Sequence, residues 1–307
     1  MAETLDPEFF DGLSVYQDVL WEGRVIRQGV RDCRERWELI SPHVPQKAAV
    51  LDIGSNFGWF GLKICESCPQ AVVASVEADP RSALIQRQVL ASHEHRRLAL
   101  LTARANCRLV ERFARRGQRF DVALCLSILH WMPDHQEFLQ QLGKIADRII
   151  VEYPHPAEPD AGSARIRREI GEIGPYLARL FPARPVAYLG DCATHLDARL
   201  RRPIWLVDSA EQCAVATAAA RPSSTSVELD FAALVQNGLS WPPRSWWEAL
   251  AREPARHAAF AGLSAARLRS LLAQVPEQDL YGPRGRWRRQ VRQAAGRWAR
   301  RSLAWMH

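Results

Sequence analysis

The chain has 307 residues, 47% of them hydrophobic, and a formal net charge of +7. That length and apolar content suit one large domain or two smaller ones with a real core, and exclude a disordered or fibrous chain. Eight arginines and no acid lie between Arg284 and His307, so the basicity belongs to the tail and the overall charge is no argument for nucleic-acid binding.

The first residues, Met1-Ala2-Glu3-Thr4-Leu5-Asp6, are acidic and lack the basic and apolar regions of a leader, and no apolar run is long enough to cross a bilayer. The expected location is cytoplasmic. Among seven cysteines only Cys65 and Cys68 have redox or zinc spacing, with no second Cys or His pair to match, so they are expected to be small apolar filler and no metal site is expected.

Residues 1–45 read as a helical arm, with a helix over 29–40 and a Pro-bounded break at 41–45. Arg31 and Arg34 are expected to make i,i+4 ion pairs on that helix. The run Ala48-Ala49-Val50-Leu51-Asp52-Ile53 then reads as a buried strand, followed by the turn Gly54-Ser55-Asn56-Phe57-Gly58 and a helix from Trp59. A helix opening there points unpaired N–H groups and the positive end of its dipole at whatever lies above the strand tip. The spacing Asp52-x-Gly54-x-Asn56-x-Gly58, with the next glycine at Gly61, departs from the G-x-G-x-x-G of dinucleotide sites and fits S-adenosylmethionine better. Asn56 stands where a glycine is common, and Asn tolerates positive φ better than most side chains.

A second strand over 71–76 ends at Glu77, an acid about twenty residues past the turn, where it can accept both hydroxyls of a ribose. Asp79-Pro80 is a helix start, with Asp as cap and Pro in the first turn. That helix runs to about residue 93, and a third strand covers 98–102 before Ala103-Arg104-Ala105-Asn106. A fourth strand opens at Phe120-Asp121 and leaves through Ser127-Ile128-Leu129-His130-Trp131. His130 would stand at its tip, where a neutral imidazole takes protons. A helix over 134–146, a fifth strand over 148–151 ending in Glu152, a helix over 163–181 and two closing strands at 185–190 and 203–207 complete an alternating α/β pattern. Residues 211–226 read as a linker and 227–307 as a helical appendage containing an aromatic knot at 239–247. In its tail Trp287, Val291, Ala294, Trp298 and Trp305 share one helical face, with most arginines opposite. That tail suits packing on the domain, an anionic membrane surface or RNA phosphates, in that order.

Over roughly residues 25–210 the sequence resembles the class I S-adenosylmethionine-dependent methyltransferases, through the Asp52–Gly58 turn, Glu77-Ala78-Asp79-Pro80 and the Ser127–Trp131 exit. The resemblance implies an α/β fold with a Rossmann-like seven-stranded sheet over residues 46–210. It implies S-adenosylmethionine as cofactor, with Asp52 among the residues that bind it, Gly54, Asn56 and Gly58 at the methionine portion and Glu77 at the ribose. Asn106 would serve the adenine in place of the aspartate found in many members, and Ser127 would lie against the cofactor at the transfer site. His130 and Glu152 are the catalytic candidates. A similar Arg-Asp-x-x-x-Arg-Trp arm occurs in several bacterial members, which offers Arg31 or Arg34 the methionine carboxylate as an alternative to the helical ion pair. The implied function is methyl transfer to an oxygen or nitrogen of a small-molecule, sugar or lipid-linked acceptor; peripheral membrane contact is an expectation from the amphipathic tail alone, ranked after packing on the domain. An RNA-modifying enzyme of the same fold, which would make nucleic acid the partner, and an inactive binding protein are the alternatives.

Overall fold

The computed structural model describes residues 15–21, 24–92, 97–155, 157–158, 161–195, 197 and 199–209. The expected linker 211–226, the appendage 227–307, its aromatic knot and its amphipathic tail lie outside the described residues.

Seven strands form one sheet. In chain order they are β3 (Ala49–Ile53), β4 (Val72–Glu77), β5 (Leu98–Thr102), β6 (Phe120–Cys125), β7 (Ala146–Glu152), β8 (Val186–Ala193) and β9 (Arg201–Val207). They lie side by side as β5-β4-β3-β6-β7-β9-β8, preceded in the chain by a separate pair, β1 (Val19–Trp21) and β2 (Arg24–Arg27). Pairing is parallel from β5 through β7 and antiparallel where β9 inserts between β7 and β8. The α-helices among the described residues are α1 (Cys33–Ile40), α2 (Trp59–Ser67), α3 (Pro80–Ser92), α4 (Cys107–Arg115), α5 (His135–Leu142), α6 (Ala161–Ile170) and α7 (Ile173–Leu180).

Side chains alternate across a strand, so a sheet covered on both faces needs two cores. Val50, Val73, Val122 and Ile150 fall in one cluster with Leu62 of α2, while Leu51, Ala74, Ala123 and Ile149 fall in the other with Phe113 of α4 and Leu139 of α5. Cys65 and Cys68 are buried in the first cluster, as apolar filler would be. No helix among the described residues is long and apolar enough to cross a membrane.

The topology reverses at β3, whose neighbours β4 and β6 lead the chain in opposite directions, and ligands of open α/β sheets bind at the carboxyl ends of strands around such a point. The register brings the relevant ends level. Ile53 lies opposite Val76 and Cys125, and Cys125 lies opposite Val151. The next residue on each strand is therefore Gly54, Glu77, Leu126 or Glu152, one row along a single rim. Asp121 works at the other end of the sheet, where its Oδ2 accepts from the Ala49 amide at 2.6 Å and fixes β6 against β3.

Three expectations are corrected. Ahead of α1 the described residues of the arm form a β-hairpin, β1 with β2, in place of the expected helical pieces. Gly29 lies against the strap ahead of β1 so closely that a Cβ there would stand 2.3 Å from the Gln17 carbonyl carbon. α1 begins only at Cys33, capped by Asp32, whose Oδ1 accepts from the amides of Arg34 and Glu35. Arg31 thus precedes the helix and makes no i,i+4 pair on it. The single helix expected over 163–181 is broken at Gly171, where φ is +70°. Ile166, Ile170, Ile173 and Leu177 still face one core across the break, and for that reason their spacing conceals it.

Candidate cofactor and acceptor site

The turn after β3 is built on three left-handed residues, Gly54 (φ +73°), Asn56 (φ +52°) and Gly58 (φ +83°). The amides of Gly54 and Ser55 both donate to the Val76 carbonyl, at 2.8 and 3.1 Å, which folds the turn over the tip of β4. A Cβ on Gly54 would lie 2.3 Å from Ile128 Cγ2, and one on Gly58 2.6 Å from Gln86 Nε2. Gly54→Ala is therefore expected to destabilise the protein by about 2–4 kcal/mol, combining positive-φ strain with overpacking. Urea unfolding of the full chain measures it, and a loss below about 0.5 kcal/mol would mean that both Ile128 and the backbone of the turn relax freely.

Two buried carboxyls flank this turn. Asp52 is 2% exposed, and its Oδ2 has no hydrogen-bond partner among the described residues. Burial, then the nearby Glu77 carboxylate, push its pKa up to about 7, against a smaller opposing pull from Arg36. Glu77 accepts from the Asn56 amide through Oε2 and from the Asp79 amide through Oε1, both at 2.6 Å. Burial raises its pKa above the ordinary value, and these amide hydrogen bonds oppose the rise. Asn56 donates to Ser82 Oγ at 3.3 Å, while its own Oδ1 is buried and unpartnered among the described residues.

The raised Asp52 has a definite sign. The native carboxyl keeps its proton to a higher pH than the unfolded one, so stability falls as pH rises from about 4 through about 7 and the full penalty applies above that. At about 1.4 kcal/mol per pKa unit the penalty is on the order of 4 kcal/mol. Asp52→Asn should flatten this fall. Unfolding free energies of both proteins at pH 5 and pH 8 check it, and a difference between them that does not change with pH would remove Asp52 as the cause.

Beside the turn, on the β7 side, lies a buried cluster of charge. Glu152 accepts from Arg31 Nη2 at 2.5 Å, Arg36 Nη1 at 3.4 Å, Arg202 Nη1 at 3.5 Å and Ser127 Oγ at 3.0 Å. Arg202 also binds Glu158 with both arms of its fork, Nε to Oε1 at 2.7 Å and Nη2 to Oε2. Burial alone would raise the Glu152 pKa, but Arg31, Arg36, Arg202 and the Ser127 hydroxyl outweigh it and hold the group at about 2. Ser127, at φ +58°, accepts from Arg202 Nη1 at 2.6 Å and from the Tyr16 hydroxyl at 3.1 Å. Tyr16 belongs to a strap whose buried Gln17 accepts from the Trp59 amide at the start of α2, at 3.4 Å.

No protein-family model matches the chain, and no characterised protein matches it by sequence. Solved structures do. The crystal structure of WbdD superposes with a TM-score of 0.53 at 19% identity, covering 66% of this chain and 47% of that one, so this chain spans about half the length of its structural neighbour. A second structure, described as the bifunctional kinase-methyltransferase WbdD, gives a TM-score of 0.52 at 19% identity over 66% and 46%. This is the class I methyltransferase fold. The N-terminal domain of EvdMO1 with SAH bound lies further off, with a TM-score of 0.45 at 14% identity over 66% of this chain and 94% of that one.

On this methyltransferase fold Asp52, Gly54, Asn56, Gly58 and Glu77 come together at the switch point, and Ser127 joins them through Ile128, which packs on Gly54. Asn106 caps α4, and its side-chain Oδ1 accepts from the Leu109 amide at 3.0 Å, leaving one lone pair of that oxygen beyond the cap. His130 is buried in the short turn Leu129–Trp131, its ring 5.0 Å from that of the exposed Trp131. Its carbonyl, with that of Met132, accepts from Arg165 at 3.2 Å. Glu152 faces the site but is enclosed by guanidiniums. The partners Tyr16, Arg36, Glu158 and Arg202 escaped the sequence reading. One signal was available: Arg202, Ile204 and Leu206 alternate along β9 and are all buried, so an arginine occupies a core-facing strand position.

Proposed function

We propose that this protein is an S-adenosylmethionine-dependent methyltransferase whose acceptor is an oxygen or nitrogen of a small molecule, sugar or lipid-linked intermediate. The observation that carries the reading is the rim itself. Two left-handed glycines open the backbone, and the buried Oδ2 of Asp52 at the strand end and Oδ1 of Asn56 in the turn have no partner among the described residues. Such atoms call for a polar ligand. The cofactor supplies a methyl group activated on a sulfonium. Gly54 and Gly58 let the backbone approach its methionine portion, Glu77 keeps lone pairs for the ribose hydroxyls, and Asn106 offers its remaining lone pair to the adenine. Much of the rate would come from holding acceptor and methyl in line, which side chains locked by packing do best. His130 is the proton acceptor for a neutral hydroxyl or amine. Glu152 we assign to anchoring, because a carboxylate held ionised near pKa 2 by three guanidiniums is a poor base at neutral pH.

An RNA acceptor is the second reading. It is favoured by Arg104, Arg108 and Arg112, spaced by four residues along and just ahead of α4 and all exposed, a row suited to phosphates. Calorimetry of the full chain with S-adenosylmethionine tests the principal reading, and no heat at millimolar ligand would sink it. Binding without transfer to any acceptor panel would favour the inactive binding protein. Tight, salt-sensitive tRNA binding lost in a triple Arg→Gln variant of the α4 row would favour RNA.

A further inference from the structure

The charge cluster beside the turn is incomplete as it stands. It holds three guanidiniums, Arg31, Arg36 and Arg202, all nearly inaccessible, and among the described residues only Glu152 and Glu158 lie within ion-pair distance of them. Within that distance one positive charge is left over. The Cys192 thiol, 3.0 Å from Arg31 Nη2, does not supply the missing anion, since burial and then Glu152 push its pKa up to about 12. The imbalance has an address. Arg202 spends its whole fork on Glu158, Ser127 and Glu152, and Ser127 fills both lone pairs and its proton. Arg31 is 0% exposed and uses Nη2 alone, while its Nε and Nη1 have no acceptor among the described residues. Guanidinium N–H groups buried without an acceptor are costly to keep, so such a pair of donors points to a partner that arrives from outside.

The position of that free edge matters as much as its charge. Ser127 links the cluster to Ile128 and so to Gly54, which sets it on the β7 side of the cofactor turn, away from Glu77 and the ribose end. Its outer rim is formed by the part-buried Tyr16 and by His195, whose rings meet edge to face at 5.2 Å. Partial burial, then the charges of Arg202 and Arg31, hold the His195 pKa below the ordinary value, so the rim faces the same positive field. We infer that the free edge of Arg31, backed by Arg202, is a subsite for an anionic group of the methyl acceptor, a carboxylate or a phosphate. A planar fork with two adjacent N–H donors suits either group. The inference rests on the methyltransferase reading above. It narrows the acceptor to molecules that carry an oxyanion, and it competes with one other source of the same chemistry, the carboxylate of the cofactor's own methionine portion.

Calorimetry of the full chain with inorganic phosphate, at constant ionic strength and with or without saturating S-adenosylhomocysteine, separates these cases. Phosphate is expected to bind the S-adenosylhomocysteine-saturated protein. Arg31→Lys, which keeps a charge for Glu152 but loses the fork, should weaken that binding by about tenfold or more. Glu158→Gln, which removes a negative charge but keeps an acceptor for Arg202, should tighten it several-fold. Opposite shifts cannot come from partial unfolding, and Glu158→Gln keeps the test decisive if Arg31→Lys does not fold. Absence of phosphate binding, or an affinity unchanged in the variants that fold, overturns the subsite. Mutual exclusion of phosphate and S-adenosylhomocysteine gives the edge to the cofactor and overturns the acceptor assignment. Phosphate binding with the expected variant pattern but no S-adenosylhomocysteine binding would sink the cofactor reading and leave the anion site standing.

Discussion

Glu152→Ala is expected to lower folding stability by about 3–5 kcal/mol, a large part of what a domain of this kind possesses. The native carboxylate sits at 0% exposure and compensates Arg31 and Arg36, for which the described residues offer no second carboxylate, and it shares Arg202 with Glu158. Its removal leaves two buried guanidiniums without a counter-charge, and the loss is the desolvation of those cations more than the worth of the pair itself. The pH profile gives an independent check. Burial would raise the Glu152 pKa but the guanidiniums hold it near 2, so its contribution is fully present above the unfolded value near 4.5 and fades as pH falls toward 2. The variant should therefore lose most relative to wild type at neutral pH and least in acid. Urea unfolding at pH 7 and pH 3 measures both. A loss under about 1 kcal/mol at pH 7 would mean that water reaches the cluster and that the ion pairs behave as surface ones.

What the sequence made legible was local. The strand at β3, its glycine turn, the acid at the tip of β4 and the exit after β6 are each encoded within about fifteen consecutive residues, where apolar spacing, positive-φ preference and capping all act. Asn56 takes the left-handed conformation its residue type tolerates, and the alternation of strands with helices is the pattern of a mostly parallel sheet covered on both faces. The charge cluster is the opposite case. Arg31 and Glu152 are 121 residues apart, and Arg202 and Ser127 are 75 apart, so no window along the chain contains a pair. Read locally, Arg31 has a helix partner four residues on; in three dimensions it precedes the helix and points across the sheet rim. The hairpin ahead of it was hidden for a related reason. Its strands span only Val19–Trp21 and Arg24–Arg27, too few residues to establish an alternation, and what anchors the first of them is the burial of Val19 and Leu20 in a core built from elements far along the chain.

Glu77→Ala is expected to weaken S-adenosylmethionine binding by about 2–4 kcal/mol, roughly 30- to 1,000-fold, since hydrogen bonds to a charged acceptor contribute about 1.5–3 kcal/mol each. Two routes lead to such a loss. Glu77 can act on the ribose directly, or it can act through the turn, because each of its oxygens already holds a backbone amide, Asn56 on one side and Asp79 on the other. Comparing ligands separates them. S-adenosylhomocysteine and 5′-methylthioadenosine share the ribose, but only the first carries the amino-acid portion that would lie against Gly54 and Gly58. A direct ribose role predicts equal losses for both ligands, whereas relaxation of the turn predicts a loss confined to S-adenosylhomocysteine. The carboxylate is the better acceptor, and burial raises its pKa against the pull of the two amides, so affinity in the wild type should fall on acidification earlier than an exposed glutamate would allow. Glu77→Ala should abolish that fall for 5′-methylthioadenosine. Equal pH dependence in variant and wild type would assign the titration to Asp52, the other carboxyl whose proton is held by the same buried turn.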